Sequence, residues 1–269
     1  MSSSLPAQVH EVTDTYLRLV DAAVPGLVDG LYLHGSTALG DFCPGHSDID
    51  FVALTPHRPA DAEVAALASV HKELDRLHPR PYFDGAYLLS ADLAADPDLC
   101  PDVPACHEAT FEPSGHRMVS LVTWHELHEY GVAVRGPAIG KLDVWTDEAT
   151  LLANTRTNLR TYWKRWVGDL DRLTETAPDR AVDPWFVEWC VLGSVRLHAL
   201  LVTGRLHSKG GAGRWAVEVE AFGPRWRPIL TEALRIRSDD DGPSAYADLR
   251  HRLRDTRDFL AAVVAANEV

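Results

Sequence analysis

The stretch LYLHGSTALGDFCPGHSDIDFVAL, residues 31 to 54, constrains the fold more than any other part of the chain. A first apolar run, Leu31 to Leu33, ends at Gly35-Ser36. A second, residues 49 to 54, opens with Asp48 and Asp50 on either side of Ile49. In an extended strand, residues i and i+2 point to the same face, so the two carboxylates converge on one point. Unpaired charges there would repel each other and resist burial. The pattern therefore calls for a cation.

Two carboxylates on one strand face make a hard, anionic site suited to Mg2+, which keeps some waters and takes its other ligands from substrate phosphates. Gly35 and Ser36 follow the first strand directly. Glycine permits close backbone approach, and the serine hydroxyl can hydrogen-bond a phosphate oxygen. Neither motif is specific alone. Their order and close spacing across consecutive strands is, and together they frame a metal-bound triphosphate.

The rest of the first half mixes periods. Apolar positions at helical spacing, Val12, Leu17, Val20 and Ala23 among them, predict an amphipathic helix over 8–23. Val64, Leu67, Val70, Leu74 and Leu77 predict a second helix, with Pro59 near its start. PYFDGAYLL returns to strand character. Residues 90 to 117, rich in Asp and Pro, read as a surface loop with one short helix. MVSLVTWHELHEYG reads as a helix ending at Gly131.

From Thr146 onward the pattern is helical, with segments expected near 147–167, 184–203, 210–221, 225–236 and 244–266. At 269 residues the chain suits two domains that each bury a core. The expected architecture is an α/β domain over 1–145, a mixed sheet with helices, and an all-α helical domain over 146–269.

Composition narrows the partners. A formal charge of −13 argues against a nucleic-acid backbone, whose recognition rests on clustered Lys and Arg. The opening MSSSLPAQVHEV lacks a basic region followed by an apolar core, and no later stretch reads as a membrane span. A cytoplasmic monomer without membrane contact is expected. Cys43, Cys100, Cys106 and Cys190 have no paired spacing and read as reduced, packed thiols.

The Gly-Ser, short insert and Asp-x-Asp order resembles the nucleotidyltransferases of the DNA polymerase β superfamily. The longer run YLHGSTALGDFCPGHSDIDFV resembles the aminoglycoside nucleotidyltransferases that adenylylate streptomycin and spectinomycin, and VLGSVRLHALLVTGRLHSKGGAGRWAVE is similar to their C-terminal helical domain. The resemblance implies ATP as co-substrate with Mg2+, and a cationic amino-sugar as acceptor. It assigns Asp48 and Asp50 to the metal, Gly35 and Ser36 to the nucleotide phosphates, and Arg196 and Lys209 to the triphosphate. Asp84 stands where these enzymes carry a Glu that serves as general base. Being one methylene shorter, it could instead complete the metal site, or be only a turn residue before Gly85.

In relatives that also take streptomycin, a Trp and acidic residues early in the helical domain contact the drug. Asp179, Asp183, Trp185 and Glu188 are the candidates here. Two alternatives stand beside this reading, a nucleotidyltransferase of a different acceptor and a degenerate homologue that binds nucleotide without catalysis. Intact Asp48, Asp50, Arg196 and Lys209 speak against the second.

Overall fold

The computed structural model describes residues 5–267 and divides the chain into two compact units, Met1–Asp147 and Glu148–Val269. In the first unit the order is α1 (Ala7–Ala23), β1 (Gly30–Leu33), α2 (Gly35–Ala38), β2 (Ile49–Leu54), α3 (Asp61–Leu77) and β3 (Phe83–Leu88). It continues with α4 (Ser90–Leu93), β4 (Val103–His107), β5 (Thr110–Gly115), α5 (Leu121–Tyr130) and β6 (Val132–Arg135). The strands form one mixed sheet, ordered β5-β4-β3-β2-β1-β6.

β1 and β2 run antiparallel, whereas β2 and β3 are parallel, as the α3 crossover between them requires. Both faces of the central strands are covered. On one, Val12 and Tyr16 of α1 and Leu67 and Val70 of α3 pack on Leu31, Ile49 and Phe51. On the other, Val52, Leu54 and Ala86 meet Trp124 and Leu127 of α5. Because side chains alternate along a strand, Asp50 and Asp84 belong to this second face, at the ends of β2 and β3 where apolar cover gives out.

Residues 90 to 117 depart from the expected loop. They hold α4, a 3-10 turn at Pro97–Leu99, and the β4–β5 hairpin that forms one edge of the sheet. Prolines concealed the strands. Pro104 lies where the β4–β5 register shifts, and Pro113 is on the edge strand, the two settings in which a strand tolerates proline. The connecting turn, Glu108–Ala109, has φ of 47° and 60°, the two-residue hairpin geometry that Asn-Gly ordinarily announces. β6 was also unforeseen, since Gly131 leads from helix directly into a four-residue edge strand.

The second unit is helical: α6 (Glu148–Asn158), α7 (Lys164–Thr176), α8 (Pro178–Ala181), α9 (Pro184–Val187), α10 (Gly193–Thr203), α11 (Lys209–Glu218), α12 (Arg227–Arg237) and α13 (Leu249–Ala265). Single π-turns at Leu159–Trp163 and Glu188–Leu192 join α6 to α7 and α9 to α10. The fold class is thus an α/β domain followed by an all-α one. By length and composition alone, the run Pro184–Thr203 is long and apolar enough to cross a membrane, as a buried core helix also can be. More than half of it is buried, with Val191, Leu192 and Val195 fully enclosed in the helical core. That burial accounts for its apolar character.

Candidate active site

Gly35, at φ +59°, turns the chain from β1 into α2 and brings Ser36 beside β2. A Cβ on Gly35 would lie 2.0 Å from Asp50 Oδ2, so no other residue fits without moving that carboxylate. Ser36 Oγ and Thr37 Oγ1 are both buried with no hydrogen-bond partner. Such hydroxyls cost roughly 1–3 kcal/mol each, which a ligand oxygen would offset.

Asp50 and Asp84 are register partners across the parallel β2–β3 pair. Asp84 therefore stands inside a strand, not at a turn. It is buried, and its Oδ1 accepts the Glu108 backbone N–H at 2.9 Å. Burial, reinforced by the Asp48 charge and then by Asp50, pushes the Asp84 carboxyl up to about 8, with the Glu108 hydrogen bond opposing. Asp48 Oδ1 faces Arg80 Nη1 at 3.4 Å, and the Arg80 guanidinium stacks on Tyr82 at 3.6 Å.

Among the described residues, no group of three or more His, Cys, Asp or Glu side chains is placed to hold a metal ion on its own. The carboxylates nevertheless fit a hard divalent cation that draws part of its shell from water and phosphate. Three mutually repelling acids, one driven toward its neutral form, are the donor set that such a cation stabilises.

Sequence reasoning missed Glu126. This α5 residue is buried, and its Oε2 accepts the Gly35 backbone N–H at 3.2 Å and faces His34 Nδ1 at 2.9 Å. Burial would lower the His34 pKa, but the hydrogen bond to Glu126 and the Asp50 charge outweigh it and raise it. Helical periodicity marks Glu126 only as an acid among apolar neighbours, and its partners lie about ninety residues earlier.

In the second unit, Ser208 caps α11 by accepting the Gly211 N–H at 2.9 Å, and Lys209 opens that helix. Its Nζ lies 5.0 Å from the Trp189 ring centroid and 3.7 Å from Glu188 Oε1. Arg196 is half-buried on α10. Glu188 has its buried carboxylate bound by Arg237 Nη1 at 2.7 Å, an ion pair within the helical unit. Asp183 accepts the Trp185 N–H at 2.8 Å as the cap of α9, and Asp179 is exposed in α8. Trp185 is half exposed and stacks on Trp189, with centroids 5.4 Å apart and planes at 9°.

Residues 16–83 match the model of the nucleotidyltransferase domain family. The chain carries a nucleotidyltransferase fold. The match takes in Gly35, Ser36, Asp48 and Asp50 and stops one residue before Asp84. Six solved chains match the nucleotidyltransferase fold of this protein. One is spectinomycin adenyltransferase AAD(9) from Enterococcus faecialis, solved with ATP and spectinomycin. It superposes with a TM-score of 0.61 over 94% of this chain and 99% of that one, at 11% identity. A search of curated protein sequences finds no significant match.

Proposed function

We propose that this protein is an ATP- and Mg2+-dependent O-nucleotidyltransferase that adenylylates a hydroxyl of an aminoglycoside or aminocyclitol. The observation that carries the reading is the side-by-side register of Asp50 and Asp84, with Asp48 next to them, on a nucleotidyltransferase domain. The AAD(9) likeness supports the acceptor class.

Asp48 and Asp50 would hold Mg2+, with Asp84 adjacent. When bound, the ion supplies charge neutralisation on the triphosphate and alignment of the attacking and leaving oxygens. Ser36 donates its hydroxyl to a phosphate oxygen, and Arg196 and Lys209 are assigned to the triphosphate by the resemblance. Asp84, beside Asp50 in register, would in its ionised form take the proton of the acceptor hydroxyl or else complete the metal site. The hydroxyl oxygen bonds to the α-phosphorus as the bond to the bridging oxygen breaks. Pyrophosphate leaves with that electron pair, and AMP remains on the acceptor. Trp185, Asp179 and Asp183 are candidates for contacting a cationic amino-sugar.

The test is direct incubation of the purified protein with MgATP and either spectinomycin or streptomycin. An antibiotic heavier by one AMP, released with stoichiometric pyrophosphate, is the expected product. Asp48→Asn and Asp50→Asn should abolish it while the protein stays folded. Undiminished transfer by either variant would sink the metal assignment, and nucleotide binding without transfer to either drug would send the search to other acceptors.

A further inference from the structure

We infer that Glu126 is a positioning residue for the Gly35–Ser36 turn. This inference rests on the nucleotidyltransferase reading above. A carboxylate buried this deeply must find donors. Those of Glu126 include the His34 ring and the Gly35 backbone N–H. His34 in turn donates its backbone N–H to Asp50 O at 3.0 Å. Helix α5, the turn and the metal strand are thereby linked through consecutive hydrogen bonds.

The linkage selects which groups of the turn meet a ligand. Gly35 has its amide hydrogen engaged by Glu126, whereas the hydroxyls of Ser36 and Thr37 are buried without a partner. A phosphate oxygen arriving at the turn finds those hydroxyls as the donors still in need of an acceptor. Glu126 also secures the left-handed backbone at Gly35, which keeps the chain clear of the Asp50 carboxylate. Its role is geometric, through an acceptor oxygen, and a neutral acceptor of the same length would perform it. Gln meets that requirement and Ala does not.

The experiment is calorimetric titration of MgATP into the full-length wild type, Glu126→Gln and Glu126→Ala. Loss of a hydrogen bond to a charged group predicts Kd about 10- to 100-fold weaker for Glu126→Ala. Glu126→Gln should stay close to wild type. Wild-type affinity in Glu126→Ala, or equal losses in both variants, would overturn the inference. Should Glu126→Ala fail to fold, amide exchange at Gly35 in the wild type decides: a protected Gly35 N–H is expected, and exchange as fast as in open loops overturns the proposal. A wild type that does not bind MgATP would defeat the functional reading, while the Gly35 exchange would still report on the hydrogen bond.

Discussion

Gly35 and Asp50 occupy each other's space, since a Cβ on the former would fall 2.0 Å from Oδ2 of the latter. Gly35→Ala must therefore displace the carboxylate as well as hold alanine at a positive φ. The backbone penalty is about 1–2 kcal/mol, and the thermal midpoint should fall accordingly. MgATP affinity should drop more steeply, by at least about tenfold, because the metal strand loses its alignment. Calorimetry and a melting curve on the same preparation separate the two effects. Native affinity would show that Asp50 is free to move.

Asp84→Asn should lower the single-turnover rate by about 10²- to 10⁴-fold with MgATP binding nearly intact if the carboxylate is the base. A metal ligand would behave differently. The same substitution would then weaken Mg2+ affinity, and excess Mg2+ would recover part of the rate. Titrating single-turnover rate against Mg2+ distinguishes these outcomes. No change in either quantity would remove Asp84 from the chemistry.

Glu188→Gln should cost more than about 1 kcal/mol, because it removes the charge from the 2.7 Å pairing with the buried Arg237 guanidinium. The exposed Asp179→Asn should stay within about 0.5 kcal/mol of wild type. Urea unfolding of both variants measures the contrast. Equal stabilities would keep Glu188 among the candidate substrate-facing acids.

Acid should destabilise the α/β unit through His71. Burial pushes its pKa down to about 3 from an ordinary 6.5. The ring is neutral in the fold, where Nε2 pairs with the Tyr87 hydroxyl at 2.9 Å and Nδ1 is buried with no partner. Its contribution is complete above pH 6.5 and is lost as pH falls toward 3, at no more than about 1.4 kcal/mol per pH unit. His71→Gln should flatten this dependence. Urea midpoints for both proteins at pH 7.5 and 4.5 provide the check, and identical pH dependence would refute it.

The acidic strand β2 and the glycine turn were legible in the sequence because their signal is local. Alternation fixes Asp48 and Asp50 on one face whatever surrounds them, and Val64 to Leu77 announce α3 by period alone. What escaped was non-local or broke a local rule. Glu126 acts through partners far away in sequence. The Glu108 amide reaches Asp84 from a hairpin whose turn residues favour other conformations and whose strands contain prolines. The pairing of Glu188 with Arg237 was likewise hidden, because the two lie 49 residues apart.

The parallel pairing of β2 and β3 makes the acidic cluster depend on a non-local contact. Asp50 and Asp84 become neighbours only after the chain has passed through α3 and returned, a long loop closed before any hairpin could bring them together. A nascent chain that has not yet delivered β3 has Asp48 and Asp50 without their third carboxylate.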